Sequence, residues 1–460
     1  MSDDIINGLT SVWLGSQSYN LATFETYYYG QQAADGARSM LTSTQAAQAD
    51  ITRFWRPVNY VATVIDEPIG YLAGGRIRIT SLNERAQAWG ESFFQRRIRP
   101  RLDDTIRWQG LYGEAYLYFW TDYEGASRGL KVDSIAPIEA GTRRVLADYG
   151  GEDPEELTAA VIYKRIPVDS KGALDEYRIT ISPERIMVEK RRIQGNVGIG
   201  GGGTWTLERD EANPAGVLPL IPVFNPVPSD ILDFLPIQDD LDKLHLDMRL
   251  SREYHGLPLL TTDAPQIPND LQVGSGRVLY GGNFQRLDPP DIEPLLAERK
   301  ALLEDGASIV KSLALANRAG SGEISGVALR FLQQNFESRL GAKAERLASA
   351  MELALTTAAR ITSQDARLLK LESRGLEQAV TANDLTDPEF SVTWEPVIPA
   401  DGKANAEVAA ILLNQLGASQ ETALGKAGIE EPAKEIERAQ KEREAEMVMP
   451  PVEAGDAGDA

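Results

Sequence analysis

The chain of 460 residues contains no cysteine and only two histidines, His245 and His255. The lack of cysteine excludes disulfides, thiolate nucleophiles and every zinc or iron–sulfur site with cysteine ligands. Two histidines on one predicted helix do not supply a Ser-His-Asp triad or an HExxH zinc motif. We therefore predict a protein without a catalytic site, a metal or a cofactor.

Long apolar runs and a targeting signal are also missing. The longest nearly apolar run, residues 216–224, contains Pro219 and Pro222 and is too short to span a membrane. Asp3 and Asp4 stand where a signal peptide would carry positive charge. We expect a cytosolic protein that has no membrane partner.

Acidic residues outnumber basic ones, since 68 Asp and Glu stand against 47 Lys and Arg, and the formal net charge is −21. Nonspecific coating of nucleic acid depends on Lys and Arg that displace counterions, so the charge argues against that class of protein. The charge is still compatible with a protein along which DNA moves without binding tightly. No G-x-x-x-x-G-K-[ST] motif is present, so a P-loop ATPase is not expected.

The first half of the chain predicts helices followed by a small antiparallel sheet. Apolar residues at helical spacing over 59–73 end at Gly74-Gly75, and a second predicted helix, 86–98, is ended by Pro100. Alternating β-rich segments predict strands at 111–120, 130–138, 159–166, 177–181 and 204–208. The glycine-rich stretch 195–203 precedes no Lys-Ser/Thr pair and no recognisable helix, so it indicates a hairpin tip, not a phosphate-binding loop.

Three long helices are predicted in the second half. Ser229 is a candidate N-cap for a helix that ends near Gly256, a Gly/Pro-rich β insert follows over 257–290, and a return helix spans 291–316. A loop over 317–325 leads to a third helix, 326–365. The apolar stripes of these helices exceed the cover that one chain offers, so we expect neighbouring copies to complete them.

Several charged groups allow two interpretations. An acidic group on the first long helix, with His245, resembles a metal cluster, but no second carboxylate–histidine pair accompanies it, so a solvated acidic face is favoured. Two basic clusters could contact phosphates, or they could favour a helix C-terminus or pair with the acids of a partner. They are Arg96, Arg97, Arg99 and Arg101, and Lys190-Arg191-Arg192.

Short blocks spread over most of the chain resemble the portal proteins of tailed bacteriophages, in particular the large family of long-tailed siphophages. Their order along the chain is the specific signal. The blocks are Tyr28-Tyr29-Gly30, Asn59-Tyr60-Val61 to Tyr71-Leu72-Ala73-Gly74, Gly113-Glu114-Ala115-Tyr116, Pro219-Leu220-Ile221-Pro222 with Asn225-Pro226, Ser325-Gly326-Val327-Ala328-Leu329, the Phe390 strand with Glu395-Pro396 and Pro399, and Ser419-Gln420-Glu421-Thr422-Ala423-Leu424.

The resemblance implies an α+β, mainly helical portal-type fold, assembled as a dodecameric ring at one capsid vertex. Its parts would be a wing (1–225, with strand 390–397 returning to it), stem helices (226–256 and 291–316), a clip (257–290), a tunnel loop (317–325), a long wing or tunnel helix (326–365) and crown helices (402–448). Residues 449–460 have little apolar content and are expected to be disordered.

The resemblance also implies site residues and partners. Asp239, Asp242 and Asp247 would line the tunnel. The DNA-proximal loop would present Asn317, Arg318, Gly320, Ser321, Gly322 and Glu323, and the clip would bind partners through Arg277, Tyr280, Phe284 and Arg286.

The implied partners are further copies of the chain, the terminase large subunit, a head–tail adaptor or connector, the major capsid and scaffolding proteins, and double-stranded DNA that passes without sequence specificity. The protein would nucleate procapsid assembly, form in the host cytoplasm and reside in the virion. Two other functions stay open from the residues alone, namely a metal-dependent DNA-processing enzyme and a structural adaptor of a virion without a pore.

Overall fold

The computed structural model describes residues 21–32, 55–124, 128–139, 142–149, 157–168, 173–194, 204–213, 215–256, 260–262, 284–286, 291–320 and 326–397, with 419–420, 424, 435–439 and 441. The chain divides into two units, Met1–Val397 and Ile398–Ala460. In the second unit, described positions 420, 424, 435–439 and 441 are helical. Most of the predicted crown and the whole of 449–460 lie outside the described residues.

Local signals place the first helices. Helix α1 spans Leu21–Tyr28, and α2 spans Tyr60–Ala73. The Asn59 side chain accepts a hydrogen bond from the Ala62 backbone N–H at 2.9 Å and so caps α2, which ends at Gly74 as the sequence predicts.

Strand β1 is Arg76–Ser81, and helix α3, Glu84–Phe93, follows it. Pro100 does not end the helical path as predicted. A π-helical turn, Phe94–Ile98, and a 3₁₀ turn, Arg99–Arg101, lead directly into α4, Leu102–Tyr112. Proline fits here because it stands in the first turn of a new segment, where its missing N–H would have no helical acceptor.

Two antiparallel sheets follow. Their strands are Glu114–Asp122 (β2), Gly129–Ile135 (β3), Ile138–Glu139 (β4), Thr142–Arg143 (β5), Val145–Tyr149 (β6), Leu157–Pro167 (β7), Ala173–Ile181 (β8), Arg185–Gln194 (β9), Thr206–Ala212 (β10) and Leu220–Phe224 (β11). The strand order is β10-β9-β8-β7-β6 in one sheet and β11-β2-β3 in the other, and β4 pairs with β5. Buried apolar residues of both sheets, including Tyr116, Ile162 and Leu220, pack together between them. The predicted antiparallel sheet is thus present, but Leu111 and Tyr112 belong to α4 and not to a strand.

The first two long helices begin later than the sequence predicts, and the second of them breaks after Val310. A 3₁₀ turn, Leu232–Phe234, precedes α5, Leu235–Gly256. Strands β12, Leu260–Thr262, and β13, Phe284–Arg286, pair with each other. The return segment consists of α6, Glu293–Val310, and α7, Leu313–Ala319, and not of one helix.

Helices α5 and α6 approach closely at a glycine. A Cβ on Gly306 would lie 2.6 Å from Cε2 of Phe234, which is less than any real contact. Phe234, Leu241, Leu303 and Val310 share one buried cluster with residues of α1, α2 and α4. The base of the α5–α6 pair is therefore part of the main core.

The last elements of the first unit are α8, Gly326–Gln364, α9, Ala366–Glu372, α10, Ala382–Thr386, and β14, Phe390–Glu395. Strand β14 pairs antiparallel with β1, with Val392 opposite Ile79. The chain thus returns to its N-terminal part after the long helix. None of the described helices combines the length and the apolar character needed to cross a membrane.

Candidate functional site

A buried ionic cluster stands where the chain enters the long helices. The Asp230 carboxylate, whose side chain is 3% exposed, lies 2.9 Å from Arg339 and 2.7 Å from Lys343 of α8. Burial alone would raise the pKa of Asp230, but the two cations outweigh it and hold the pKa at about 2. Asn225 completes the cluster, because its amide donates to Asp230 at 3.0 Å and its oxygen accepts from Lys343 at 2.7 Å.

The cluster also joins α4 to the entry segment. The Asp230 backbone N–H donates to the Gly110 carbonyl at 2.9 Å, and a Cβ on Gly110 would lie 2.8 Å from the Asp230 carboxylate. Ser229, predicted as an N-cap of the long helix, instead donates its hydroxyl to the Leu111 carbonyl at 2.7 Å. Asp230 therefore joins α4, the Asn225-Pro226 segment before α5, and α8 at the start of α5.

The predicted tunnel acids of α5 occupy different environments. Asp242 is 2% exposed, and its carboxylate accepts from the Gln32 amide at 2.8 Å and the Val58 N–H at 2.9 Å. Burial raises the pKa of Asp242. Its side chain is directed into the subunit, because segments 27–32 and 55–60 cover this face of α5. Asp242 is thus unavailable to a channel surface, which corrects the expectation from sequence.

Asp239 is half-buried and accepts a hydrogen bond from the Tyr27 hydroxyl. Asp247 is exposed, as is Asp240 seven residues before it. Residues seven apart share a helix face, so these two acids form an exposed acidic edge of α5. The sequence analysis did not single out Asp240, which is exposed.

The acidic group with His245 is not gathered around a common point. In the described part of the chain, no three His, Cys, Asp or Glu side chains come close enough to hold a metal ion. His245 stacks on Tyr60, with 6.2 Å between ring centroids. Burial, with Arg299 and Arg249, lowers the pKa of His245 to about 4.

The predicted tunnel loop is partly helical. Lys311 has a left-handed backbone (φ 53°), and Ser312 then caps α7, which contains Asn317 and Arg318 and ends before Gly320. Ser321, Gly322 and Glu323 lie outside the described residues. The expectation of a loop from 317 onward is therefore wrong for its first residues, because a new capped turn begins at Ser312.

Glu67 of α2 holds this break. The Ser312 hydroxyl donates to one carboxylate oxygen of Glu67 at 2.6 Å, and the Ala314 N–H donates to the other at 2.8 Å. Ser312 Oγ in turn accepts from the Leu315 N–H at 3.2 Å. Sequence reasoning missed Glu67, and the only signal was a pair of acids, Asp66-Glu67, inside a largely apolar predicted helix.

Two arginines meet at Tyr60 beneath α7. The Arg299 guanidinium donates to the Tyr60 hydroxyl at 3.0 Å, and the Arg318 guanidinium lies 5.6 Å from the Tyr60 ring centroid. Arg318 is exposed on its outer side. Arg318, which the sequence analysis expected near DNA, thus makes a cation–π contact with the Tyr60 ring.

The predicted clip residues are only partly described. Arg277 and Tyr280 lie outside the described residues. Phe284 and Arg286 form the ends of β13, opposite Thr262 and Leu260 of β12. The predicted β insert therefore contains at least this antiparallel pair.

The basic clusters are paired within the subunit. The buried Glu372 lies 2.8 Å from Arg97 and 3.4 Å from Arg96, and its backbone carbonyl accepts from Arg96 at 2.8 Å. Arg191 donates to the buried Glu176 at 2.6 Å. Lys190 and Arg192 both lie 2.9 Å from Asp175. These cations are thus paired with acids of their own subunit, an arrangement that neither interpretation from the sequence named.

Comparison with known proteins gives one family. The model of the family described as phage portal protein, SPP1 Gp6-like, matches residues 17–449. No curated protein sequence matches the chain. Two solved structures of similar chains are the neck of an empty GTA particle (10% identity, 84% of this chain and 94% of that chain covered, TM-score 0.46) and the neck of a native GTA particle (10% identity, 80% and 89% covered, TM-score 0.43).

Proposed function

Because the chain belongs to the family of SPP1 Gp6-like phage portal proteins, we propose that it forms a dodecameric ring at one capsid vertex, through which DNA enters during packaging and leaves during ejection. The family match over residues 17–449 carries this proposal. The ring would also nucleate procapsid assembly, which takes place in the host cytoplasm, and would remain in the virion.

The parts of the subunit are assigned by the same reasoning. Residues 1–225 with strand 390–397 would be the wing, and α5 with α6 the stem. The insert 257–290 would be the clip, 317–325 the tunnel loop, and 402–448 the crown. The pairing of β14 with β1 supports the return of the chain to the wing.

Exposed apolar residues on the stem support assembly with neighbours. Ile292 and Leu296 near the start of α6 are 48% and 43% exposed, and Ile309 near its end is 49% exposed. Leu303 and Val310 on the same helix are buried against the core. Neighbouring stems in a ring would cover the exposed residues, which a solitary subunit leaves in water.

The charge of the stem suits a channel for DNA. Between residues 229 and 256, seven acids and three bases give a formal net charge of −4 per subunit. The buried Asp230 and Asp242 do not contribute to a channel surface, so the exposed acids would carry the repulsion. A ring of such charges repels the DNA backbone and lowers friction during translocation. Of the predicted tunnel acids we retain Asp247 and Asp239, and we add the exposed Asp240 in place of the buried Asp242.

The tunnel loop and the clip would carry the contacts with DNA and partners. The residues close to DNA would be Asn317, Arg318, Gly320, Ser321, Gly322 and Glu323. Docking of the terminase large subunit, and later of the head–tail adaptor, would use the clip residues Arg277, Tyr280, Phe284 and Arg286. The wing would contact the major capsid and scaffolding proteins.

Imaging of the purified protein tests the proposal. Mass photometry should give a dominant species of about a dozen subunits, and negative-stain images should contain annular particles with a central hole. A stable single-copy species across concentrations would overturn the proposal.

The family is a structural one, and neither a metal-dependent DNA-processing enzyme nor an adaptor without a pore is favoured.

A further inference from the structure

Exposed cations follow one another along helix α9 and the turn after it. Arg367 and Lys370 are both exposed and are three residues apart, so they are neighbours on the surface of α9. Arg374 is exposed in the following turn, where its backbone N–H donates to the Leu371 carbonyl at 3.4 Å. This short stretch of surface therefore carries three positive charges.

A fourth cation reaches the same place from a distant part of the chain. The Arg96 guanidinium donates to the Glu372 backbone carbonyl at 2.8 Å, at the end of α9, and 37% of the Arg96 side chain is exposed. The π-helical turn that contains Arg96 thus adds its charge to those of α9. We call the four cations Arg96, Arg367, Lys370 and Arg374 the α9 ridge.

The Glu372 carboxylate does not neutralise the ridge. It is fully buried, accepts from the Leu130 backbone N–H at 2.9 Å and lies 2.8 Å from the Arg97 guanidinium. Arg96 lies farther from this carboxylate, at 3.4 Å. Two arginines therefore share one buried acid, which leaves one positive charge in excess at the exposed Arg96.

Asp365, the acid that caps the start of α9, is also engaged by the protein. It accepts from two backbone N–H groups of α9 and from the Tyr123 hydroxyl. The Arg367 guanidinium lies 5.1 Å from the Tyr123 ring centroid, a cation–π contact that does not remove its charge. Within the part of the chain that the structure describes, no carboxylate forms an ion pair with Lys370 or Arg374.

The sign of the charge around α9 is opposite to that of the whole chain. Arg97 and the four ridge cations, with the two acids in contact with them, give five positive and two negative charges, a net charge of +3. The exposed acids Glu124 and Glu377 are close in sequence, but neither pairs with a ridge cation. The formal net charge of the chain is −21. The local excess of positive charge indicates a polyanionic ligand.

The ridge lacks the apolar side chains on which protein interfaces usually centre. Among the described residues of 94–101, 122–130 and 365–378, no large hydrophobic side chain is exposed. Three of the four ridge cations are arginines, whose planar guanidinium groups match phosphate oxygens. Charge without apolar anchors favours the phosphate backbone of a nucleic acid over an acidic protein.

We propose that the α9 ridge binds the phosphate backbone of double-stranded DNA, at a site separate from the stem helices α5 and α6 and from the tunnel loop. This inference rests on the proposed portal function, which brings DNA to the protein, and it adds a second surface for DNA. The contact is independent of base sequence because it consists of charge alone. In a ring the ridge is repeated in every copy, so several weak contacts act together on one duplex.

A covalently closed circular plasmid separates this site from the channel, because a circle without ends cannot be threaded through rings that are already closed. Preassembled wild-type rings should retain the plasmid in a filter-binding assay at about 50 mM salt and release it as salt is raised. Lys370→Glu with Arg374→Glu should weaken retention about tenfold or more. The neutral pair Lys370→Gln and Arg374→Gln should reduce the slope of log K against log salt by about 2 for each subunit in contact, one for each lost phosphate contact.

Arg78→Glu with Lys164→Glu is the matched control, because it makes the same change in net charge at exposed positions outside the ridge. Mass photometry should give the same ring for all variants. Equal retention of the plasmid by the ridge and control variants would overturn the inference. Wild-type rings that leave the plasmid unbound would also overturn it, and binding of polyglutamate by such rings would identify the ridge as a site for an acidic protein. A protein that forms no ring would instead contradict the proposed function, and plasmid binding by its single copies would still support the ridge.

Discussion

Glu67 and Ser312, 245 residues apart in the chain, share a hydrogen bond of 2.6 Å that holds the break between α6 and α7. The same carboxylate accepts the Ala314 N–H at 2.8 Å, so an acid from α2 caps a helix that carries the first residues of the predicted tunnel loop. This contact couples α2 to the segment that we propose lies near DNA.

Glu67→Gln should loosen α7. A hydrogen bond to a charged group contributes about 1.5–3 kcal/mol, and the glutamine retains only part of it. Amide hydrogen exchange over residues 313–319 should become about tenfold faster or more, with little change in α8. Ser312→Ala should act in the same direction, and the double variant should lose less than the sum, because both changes remove one contact. Glu304→Gln, an exposed acid on α6, is the control.

Equal rates of amide exchange over residues 313–319 in Glu67→Gln and in the Glu304→Gln control would contradict the stabilisation of α7 by Glu67. Additive losses in the double variant would indicate that Glu67 and Ser312 act independently. The measurement therefore separates a specific cap from a general effect of removing an acid.

Asp230→Asn should be among the most destabilising single changes in the protein. It leaves Lys343 and Arg339 buried without their carboxylate, and breaking a buried ion pair from one side costs about 3–5 kcal/mol. Asp240→Asn provides a matched control, because Asp240 also pairs with a lysine, at 3.0 Å, but in an exposed position. Its loss should be below about 1 kcal/mol. Denaturant unfolding of both variants measures the difference, and similar losses would exclude a special role for the buried cluster.

The sequence predicted the elements whose signals are local. Gly74 ends α2 as predicted because a glycine stop acts within one helical turn, and the antiparallel sheet follows from alternation and turn residues. The third long helix was predicted over 326–365 and is observed as Gly326–Gln364. Periodicity over many turns made this helix the clearest pattern in the chain.

The site could not be predicted from such signals, because its contacts join distant parts of the chain. Asp242 lies on a helix with an acidic sequence, yet Gln32 and Val58, some two hundred residues earlier, bury it. The break after Val310 contains neither glycine nor proline, and Lys311 adopts a left-handed backbone that non-glycine residues seldom take. Only the tertiary contacts of Ser312 explain why the helix stops there.

The Asp230 cluster should make stability depend on pH in the acid range. The pKa of Asp230 is lowered from 3.8 to about 2, so its contribution of about 2 kcal/mol is complete above pH 4 and is lost as pH falls toward 2. Asp230→Asn lacks this titration. The difference in unfolding free energy between wild type and variant should therefore shrink between pH 4 and pH 2, as urea unfolding at each pH would measure. A difference in unfolding free energy that stays constant with pH would mean that Arg339 and Lys343 do not lower the pKa of Asp230.

Reversing charge on the exposed acidic edge should slow DNA packaging without preventing ring assembly. Asp240→Lys with Asp247→Lys replaces two repulsive charges per subunit with attractive ones, and bound phosphates then resist translocation. Asp242→Lys is unsuitable for this test, because a buried lysine beside Gln32 and Val58 would unfold the base of α5. Glu184→Lys with Glu124→Lys, two exposed reversals outside α5 and α6, makes the same change in net charge and is the control. Packaging rates should fall only in the Asp240→Lys/Asp247→Lys variant and should recover as the salt concentration is raised. Equal rates in both variants would contradict a role for electrostatic repulsion in the channel.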